Sequence, residues 1–298
     1  MSDDQANRTI RDLLGKADDL FDKGYAKAEL NVLRGYKKAL NDIKLELSDM
    51  FEKYNGNPTI TELRKFKRLD ALEAKITKII GNMQRVEINQ IQFGIKDSMI
   101  SSFDRTGFAI STGTGLDIAF GEIPKDSMDY ILRYNRWDNR VKDWNAKLLT
   151  DILTENEQML RANASLEVAG GLAQGKSYAA VTKAIKNRFD VTAGRAKAIA
   201  YDQMHAGHMA GRVEGINQAT DAAKRLGVET EKIWRHNPGA KVPRPDHVQM
   251  DGTPADENGI FTLPNGVQGE APGLMNDVGE NVFCGCSALF QVKGLDEL

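Results

Sequence analysis

The sequence predicts a mainly α protein with a small C-terminal α+β module. It reads as a long antiparallel helical hairpin at the N-terminus, a helical middle, and a turn-rich cassette of short strands. Two observations carry this. Apolar residues recur at helical spacing through residues 1–100, whereas five of the eight prolines fall between Pro238 and Pro264, with both cysteines just beyond at Cys284 and Cys286. The corresponding division is a helical arm over 1–102, a Gly/Thr-rich hairpin or linker over 103–123, a helical middle domain over 124–229 and a β-rich cassette over 230–298.

In the arm, Leu33, Tyr36, Leu40, Ile43, Leu47, Met50 and Tyr54 alternate spacings of three and four, a heptad seam. Asn55-Gly56-Asn57-Pro58 breaks that helix, and Thr59 with Glu62 forms a capping box for the next one. Its seam is Leu69, Leu72, Ile76, Ile79, Met83, Val86 and Phe93. Two helices of matched seam joined by a short turn fold back antiparallel. Upstream, Ile10, Leu13, Ala17 and Leu20 predict a further amphipathic helix, interrupted near Gly24. The seams bury each other; a leftover apolar face would dock on a partner or a sister subunit.

Ser111-Thr112-Gly113-Thr114-Gly115, flanked by Phe108-Ala109-Ile110 and Leu116-Asp117-Ile118, reads as a turn. It lacks the Gly-Lys-Ser/Thr of a phosphate-binding loop. From Pro124 to Leu160 the pattern is helical, with Asp126 as N-cap and Met128, Ile131, Leu132, Val141, Trp144, Leu148 and Ile152 on the apolar side. Three more helices span 162–173, 177–189 and 192–225, punctuated by Gly175, Asp190 and Gly227. Lys176, Lys183, Lys186, Arg188, Arg195 and Lys197 make a basic stretch that would suit DNA phosphates or an acidic partner. It has no interleaved aromatics for base stacking, so a solvated helix face explains it as well. His205 and His208 share a helix face three residues apart and read as packed or surface histidines.

Composition narrows the function classes. A chain of 298 residues, 41% hydrophobic and 28% charged, with a mean hydropathy of −0.44, suits a soluble protein with room for two domains. A net charge of −2 gives no global attraction to nucleic acid or an acidic membrane. No apolar run approaches the roughly 20 residues of a membrane span, and Met1-Ser2-Asp3-Asp4 does not open a signal peptide. Two cysteines one residue apart suit a reducing compartment better than a structural disulfide.

The cassette holds the chemistry-bearing residues. Side chains two apart on an extended strand face the same way, so Cys284 and Cys286 present both sulfurs together, with Gly285 leaving room behind. With His247, and His236 or Asp251, they make the ligand inventory of a structural zinc site. A second reading makes them small buried hydrophobes among Val282, Phe283, Leu289 and Phe290. A third is a metal-dependent hydrolase or nuclease centred on His236, His247, Asp251 and the cysteines. Against it, no Gly-x-Ser-x-Gly or His-Glu-x-x-His occurs, and the carboxylates are scattered along turns, where Asp bonds local backbone. The chain is therefore expected to be a structural protein, not an enzyme.

The order of motifs resembles a known family. A strand ending in Trp234, the run Arg244-Pro245-Asp246-His247-Val248-Gln249-Met250-Asp251-Gly252, the Pro272-Gly273 pair and the closing Cys284-Gly285-Cys286 are similar to phage head morphogenesis (minor head) proteins, including the F-like proteins of Mu-type phages. Arg195-Ala196-Lys197-Ala198-Ile199-Ala200, Gly211-Arg212 and Gly227 extend the match over the C-terminal third to half. This chain departs from the family in Asp202 and Gln203, where many relatives have Glu. It also has Glu280 to Cys286 in place of His-Pro-Asn-Cys-Arg-Cys. The resemblance implies a virion component inside the head near the portal, made in the host cytoplasm and present in multiple copies around the portal. Its expected partners are the portal protein, the major capsid or scaffolding protein and packaged DNA, with no membrane. Some members carry a toxin domain after the cassette; this chain ends soon after Phe290.

Overall fold

The computed structural model describes residues 2–56, 58–65, 67–133, 149–239 and 242–295. The predicted apolar positions Val141, Trp144 and Leu148 lie outside them. The elements in order are α1 (Asp3–Lys53), α2 (Ile60–Lys65), α3 (Arg68–Thr114), α4 (Lys125–Arg133), α5 (Leu149–Ala173), α6 (Tyr178–Arg225), β1 (Glu229–Arg235), α7 (Pro245–Gln249), β2 (Phe261–Thr262), β3 (Gln268–Gly269), α8 (Val278–Asn281) and β4 (Ser287–Lys293). This is the predicted class: long N-terminal helices, a helical middle and short strands near the C-terminus. Among the described residues no helix is long and apolar enough to cross a membrane.

α1 and α3 are antiparallel. Ala6 and Ile10 meet Gly113, Tyr36 meets Glu87, and Glu46 pairs with Lys75 at 2.5 Å. The turn between them begins with Asn55 and Gly56 at positive φ, Gly56 N–H reaching the Phe51 carbonyl at 2.8 Å. The Thr59–Glu62 capping box forms reciprocally: Thr59 N–H donates to the Glu62 carboxylate at 3.2 Å and Glu62 N–H to the Thr59 hydroxyl at 3.3 Å. It starts the short α2, and α3 begins only after Lys67.

Five of the seven expected α1 seam positions, Tyr36, Leu40, Ile43, Leu47 and Met50, are buried. The buried face of α1 also takes in Ala6, Ile10, Leu14, Ala17 and Phe21, then Val32 and Ala39, so that a 4-4-3 spacing runs beside the heptad. That averages about 3.67 residues per turn, nearer the helix's own period than a heptad's 3.5. Leu33 and Tyr54 are half-buried, Leu13 too, and Leu20 is exposed. α3 follows the same spacing through Leu72, Ile76, Ile80, Met83, Glu87 and Ile91, leaving Ile79 half-buried and Val86 and Phe93 exposed. Several predicted breaks are absent. α1 runs through Gly24, α5 starts at Leu149 rather than Ala162, and α6 runs through Asp190, which pairs with Lys186 one turn earlier. Asp126 sits in the first turn of α4, which begins at Lys125. The expected hairpin over 103–123 is helical as far as Thr114; chain reversal waits for Gly115 at φ 68°. Gly175 and Gly227 do end helices, each in the left-handed conformation that lets the next N–H cap a carbonyl five residues back.

The described residues group into two compact units that do not follow chain order. One comprises 1–27, 92–147 and 200–298; the other 28–91 and 148–199. α1, α3 and α6 each contribute to both. In the second unit a polar group lies in the core. Tyr36 donates its hydroxyl to Glu87 at 3.2 Å, and Asn156 donates to the Tyr36 oxygen and the Thr192 carbonyl, both at 3.4 Å. Burial raises the Glu87 carboxyl to about 7, with the Tyr36 hydrogen bond offsetting only part of the cost.

In the first unit, α6 packs on α3 through Gly207, Gly211 and Gly215. A Cβ would stand 2.8 Å from the Ile95 carbonyl oxygen at Gly207, would overlap the Met99 carbonyl at Gly211, and would stand 3.0 Å from the Thr106 side chain at Gly215. Three glycines at four-residue spacing thus let one helix rest on its neighbour's backbone. β1 and β4 pair antiparallel from Glu229↔Lys293 to Arg235↔Ser287, and β2 pairs with β3. β4 is held from the N-terminus. The Asn7 amide exchanges two hydrogen bonds with the Val292 backbone at 2.8 and 2.9 Å, and the Asp3 carboxylate accepts from Gly294 and Leu295 N–H. Asn7 thereby occupies the place of a strand neighbour and satisfies an edge.

Two outcomes test this packing. Gly211→Ala will destabilise the protein by about 1–3 kcal/mol in urea unfolding, because the methyl meets backbone. Gly24→Ala, with open space around it, will stabilise by about 0.5–1 kcal/mol. Similar effects at both sites would refute the close packing. For Glu87, the unfolded chain sheds its proton near 4.5 and the folded chain near 7. Stability from this group is therefore lost as pH rises through that window. Glu87→Gln will stabilise by up to about 3 kcal/mol at pH 8 and have little effect at pH 4; equal effects at both pH values would contradict the assignment.

A candidate metal centre in the cassette

Three chain segments bring the cassette's donors together. His236 follows β1, whose end is fixed by the Trp234↔Ala288 and Arg235↔Ser287 pairs. His247 lies on α7, a short helix begun by Pro245, which needs no N–H there. Cys284 and Cys286 lie in the extended run just before β4 rather than on the strand itself. Phe283, at φ 51°, turns the chain into that run, and its N–H donates to the Asp202 carboxylate at 2.8 Å. Gly285 faces Asn237: a Cβ there would stand 2.9 Å from the Asn237 amide nitrogen.

Among the described residues, His247, Cys284 and Cys286 are buried and their ligand atoms all lie within 4.8 Å of one another. His247 Nδ1 is 3.6 Å from Cys284 Sγ and 3.8 Å from Cys286 Sγ. His236 Nδ1 is 3.6 Å from Cys286 Sγ, outside that tightest group. The other nitrogen of His247, Nε2, lies 2.9 Å from Glu280 Oε2, and Asn265 donates to Oε1 at 2.8 Å. A carboxylate only accepts, so Nε2 donates to Glu280, and Nδ1 is the nitrogen that faces the two sulfurs. A hydrogen bond from Cys284 holds the Cys286 thiol well below its ordinary value and keeps Cys284 above its own. Trp234, Met250, Phe261, Leu263 and Met275 pack around the cysteines.

The other cassette carboxylates are engaged locally. Asp251 accepts the His236 N–H at 2.8 Å, so it orients that residue and does not join the sulfurs. Asp256 accepts from Asn258 and Ile260 N–H, and Asp277 caps α8. Half of the basic stretch on and before α6 is paired: Lys186 with Asp190, Arg188 with Glu167 and Lys197 with Glu29, while Arg195 lies 3.8 Å from the Met159 sulfur. Lys176 and Lys183 are exposed.

The most deeply buried charge has no counterpart in the sequence reading. Arg212 is fully buried, and its guanidinium holds Asp18 at 2.6 and 3.2 Å, the Leu14 carbonyl at 3.3 Å and the Ala288 carbonyl at 3.4 Å. His208 lies 3.0 Å from Asp18 and stacks on Phe21 with ring centres 4.6 Å apart. Burial alone would raise the Asp18 carboxyl, but Arg212 and His208 hold it well below the usual range. The one available signal was Asp18, Phe21 and Asp22 falling at helical spacing near the N-terminus. His205 has ring neighbours in Phe21 and Tyr201 and no hydrogen-bond partner among the described residues; burial lowers it to about 4. His205, His208, Asp18, Asp22 and Tyr201 line one side of a cleft of about 270 Å³, with His236 and Cys286 on another.

The unfolded chain protonates His205 near 6.5 and the folded chain only near 4. Stability from this residue is therefore present above 6.5 and lost as pH falls toward 4, by about 3 kcal/mol across the window. His205→Gln will flatten that part of a pH–stability curve; an unchanged slope would mean the ring is not buried neutral.

Among curated proteins, the chain is similar to a minor head protein, GP7 of Bacillus phage SPP1, with 24% identity over 279 residues, 93% of this chain and 86% of that protein. It is also similar to an NAD(+)–arginine ADP-ribosyltransferase, EFV of Enterococcus faecalis, with 25% identity over 274 residues, 91% of this chain. The chain spans about half (53%) of the length of EFV. No family model and no solved structure matches. The first similarity supports a distant relation to a phage minor head protein and a role in head morphogenesis.

Proposed function

We propose that this chain is a minor head protein of the F-like lineage that its cassette resembles. It is a structural virion component that binds the portal inside the head, in multiple copies, and assists head assembly. The observation that carries the reading is the alignment with a named minor head protein over 93% of this chain and 86% of that one. The shared region therefore includes the long helices as well as the cassette, so it is more than one motif in common. On this reading the portal protein is the main partner, with the major capsid or scaffolding protein and packaged DNA as neighbours in the head.

Two structural features support an assembly role. α3 exposes Phe93, Ile100 and Phe108 within one face, an apolar surface on a regular helix. Three of the six basic residues on and before α6 are already paired with carboxylates. This favours protein contacts over DNA binding as the main interaction.

The test is mass spectrometry of particles assembled with and without the portal gene. The chain is expected in portal-containing particles and absent from portal-less ones. Absence from both would overturn the head assignment, and equal presence in both would overturn portal binding.

A further inference from the structure

We propose that His236, His247, Cys284 and Cys286 bind one zinc ion, and that this ion is a structural staple of the cassette. The assignment stands independently of the virion role. Around a tetrahedral zinc, with Zn–S about 2.3 Å and Zn–N about 2.0–2.1 Å, a sulfur and a nitrogen ligand lie about 3.6 Å apart. The Cys284–His247 and Cys286–His236 separations are both 3.6 Å, and Cys286–His247 is 3.8 Å. Ordinary packing of thiols as small hydrophobes does not require two imidazole nitrogens to face the sulfurs, yet both histidines do. Two thiolates with two imidazoles are a donor set that selects zinc over the harder divalent ions.

The surroundings match a metal site as well. The Nε2 of His247 is tied to Glu280, and Glu280 is tied in turn to Asn265. A carboxylate behind a histidine ligand fixes its tautomer and raises its basicity. Trp234 stands edge-on to the His247 ring at 5.2 Å and, with Phe261 and Met250, shields the sulfurs from water.

The cassette also has a reason to need an ion. β2 and β3 have two residues each, α7 five and α8 four. Elements this short do not persist on their own backbone hydrogen bonds. One ion joining the end of β1, α7 and the approach to β4 would hold three separate segments at once. His236 is 3.6 Å from Cys286 but outside the group of three whose donors all lie within 4.8 Å of one another, so it closes on the ion to supply the fourth ligand. Four protein ligands then leave no open position, which makes the ion structural rather than catalytic. His236 decides this point. It borders the 270 Å³ cleft, and without it the fourth position would face that cleft.

The experiment uses the full chain without an affinity tag, purified under reducing conditions from zinc-supplemented cells. Elemental analysis is expected to find about one zinc per chain. Replacement by cobalt is expected to give the visible bands of a tetrahedral site with thiolate charge transfer. Cysteine variants also disturb the buried core around the sulfurs, so the site is probed at Glu280 and His236 as well. Glu280→Gln will weaken zinc affinity by about 10–100-fold, and His236→Ala by at least as much. A folded, reduced protein with little zinc and no cobalt spectrum would overturn the proposal. Full zinc affinity in His236→Ala would overturn the closed four-ligand site.

Discussion

A guanidinium with no access to water needs its charge and its terminal donors met by the chain around it, and Arg212 imposes that demand on much of the first unit. Asp18 answers the charge from α1, the Leu14 carbonyl takes a donor from the same helix, and the Ala288 carbonyl takes another from β4. Removing Asp18 would leave the fully buried Arg212 charge uncompensated, which is costly, although Asp18 itself is partly open to the cleft. The arrangement thus ties the N-terminal helix, α6 and the closing strand to a single geometry. It explains why Asp18 stays ionised despite burial and why His208, beside it, is packed and not free to bind a metal.

The glycine contacts have the same consequence by a different route. α6, which carries Arg212 to α1 and β4, also lies close to α3, and Gly207, Gly211 and Gly215 permit that approach by leaving the interface without side chains. Close backbone packing positions the helix; the ion pair then selects which way it is turned. The Asn7 and Asp3 hydrogen bonds extend this to the far end of β4. With β4 held at both ends, the run containing Cys284 and Cys286 has little freedom, and the sulfurs are presented to α7.

For the cassette, the consequence is a small module whose own hydrogen-bonded elements are short but whose edges are held by long helices. Three of its carboxylates, Asp251, Asp256 and Asp277, accept from nearby backbone N–H groups. Its two cysteines and two histidines face one another within an aromatic shell.

Much of this was legible in the sequence, because helical periodicity and turn chemistry are local. The two long helices, their antiparallel return, the Thr59–Glu62 cap and the glycine stops at Gly175 and Gly227 all follow from short-range spacing. Other features depended on partners distant in the chain. Whether a face is heptad or 4-4-3 depends on what packs against it, so Val86 and Phe93 read as core yet are exposed, while Glu87 is buried because Tyr36 and Asn156 lie opposite. Gly24, Asp190 and the Gly/Thr run before Gly115 resemble helix breakers by propensity. Propensity differences of about 1 kcal/mol per residue are small against the burial of a long helix face. The pairing of Asp18 with Arg212 joins residues nearly two hundred positions apart (194), and no local pattern encodes a contact of that range. Sequence alone thus indicated the long helical stretches and the turn-rich C-terminal module, because spacing and turn chemistry are local; tertiary packing decided where the helices run on, which charges are buried and which face of each helix is the core, because those depend on distant partners.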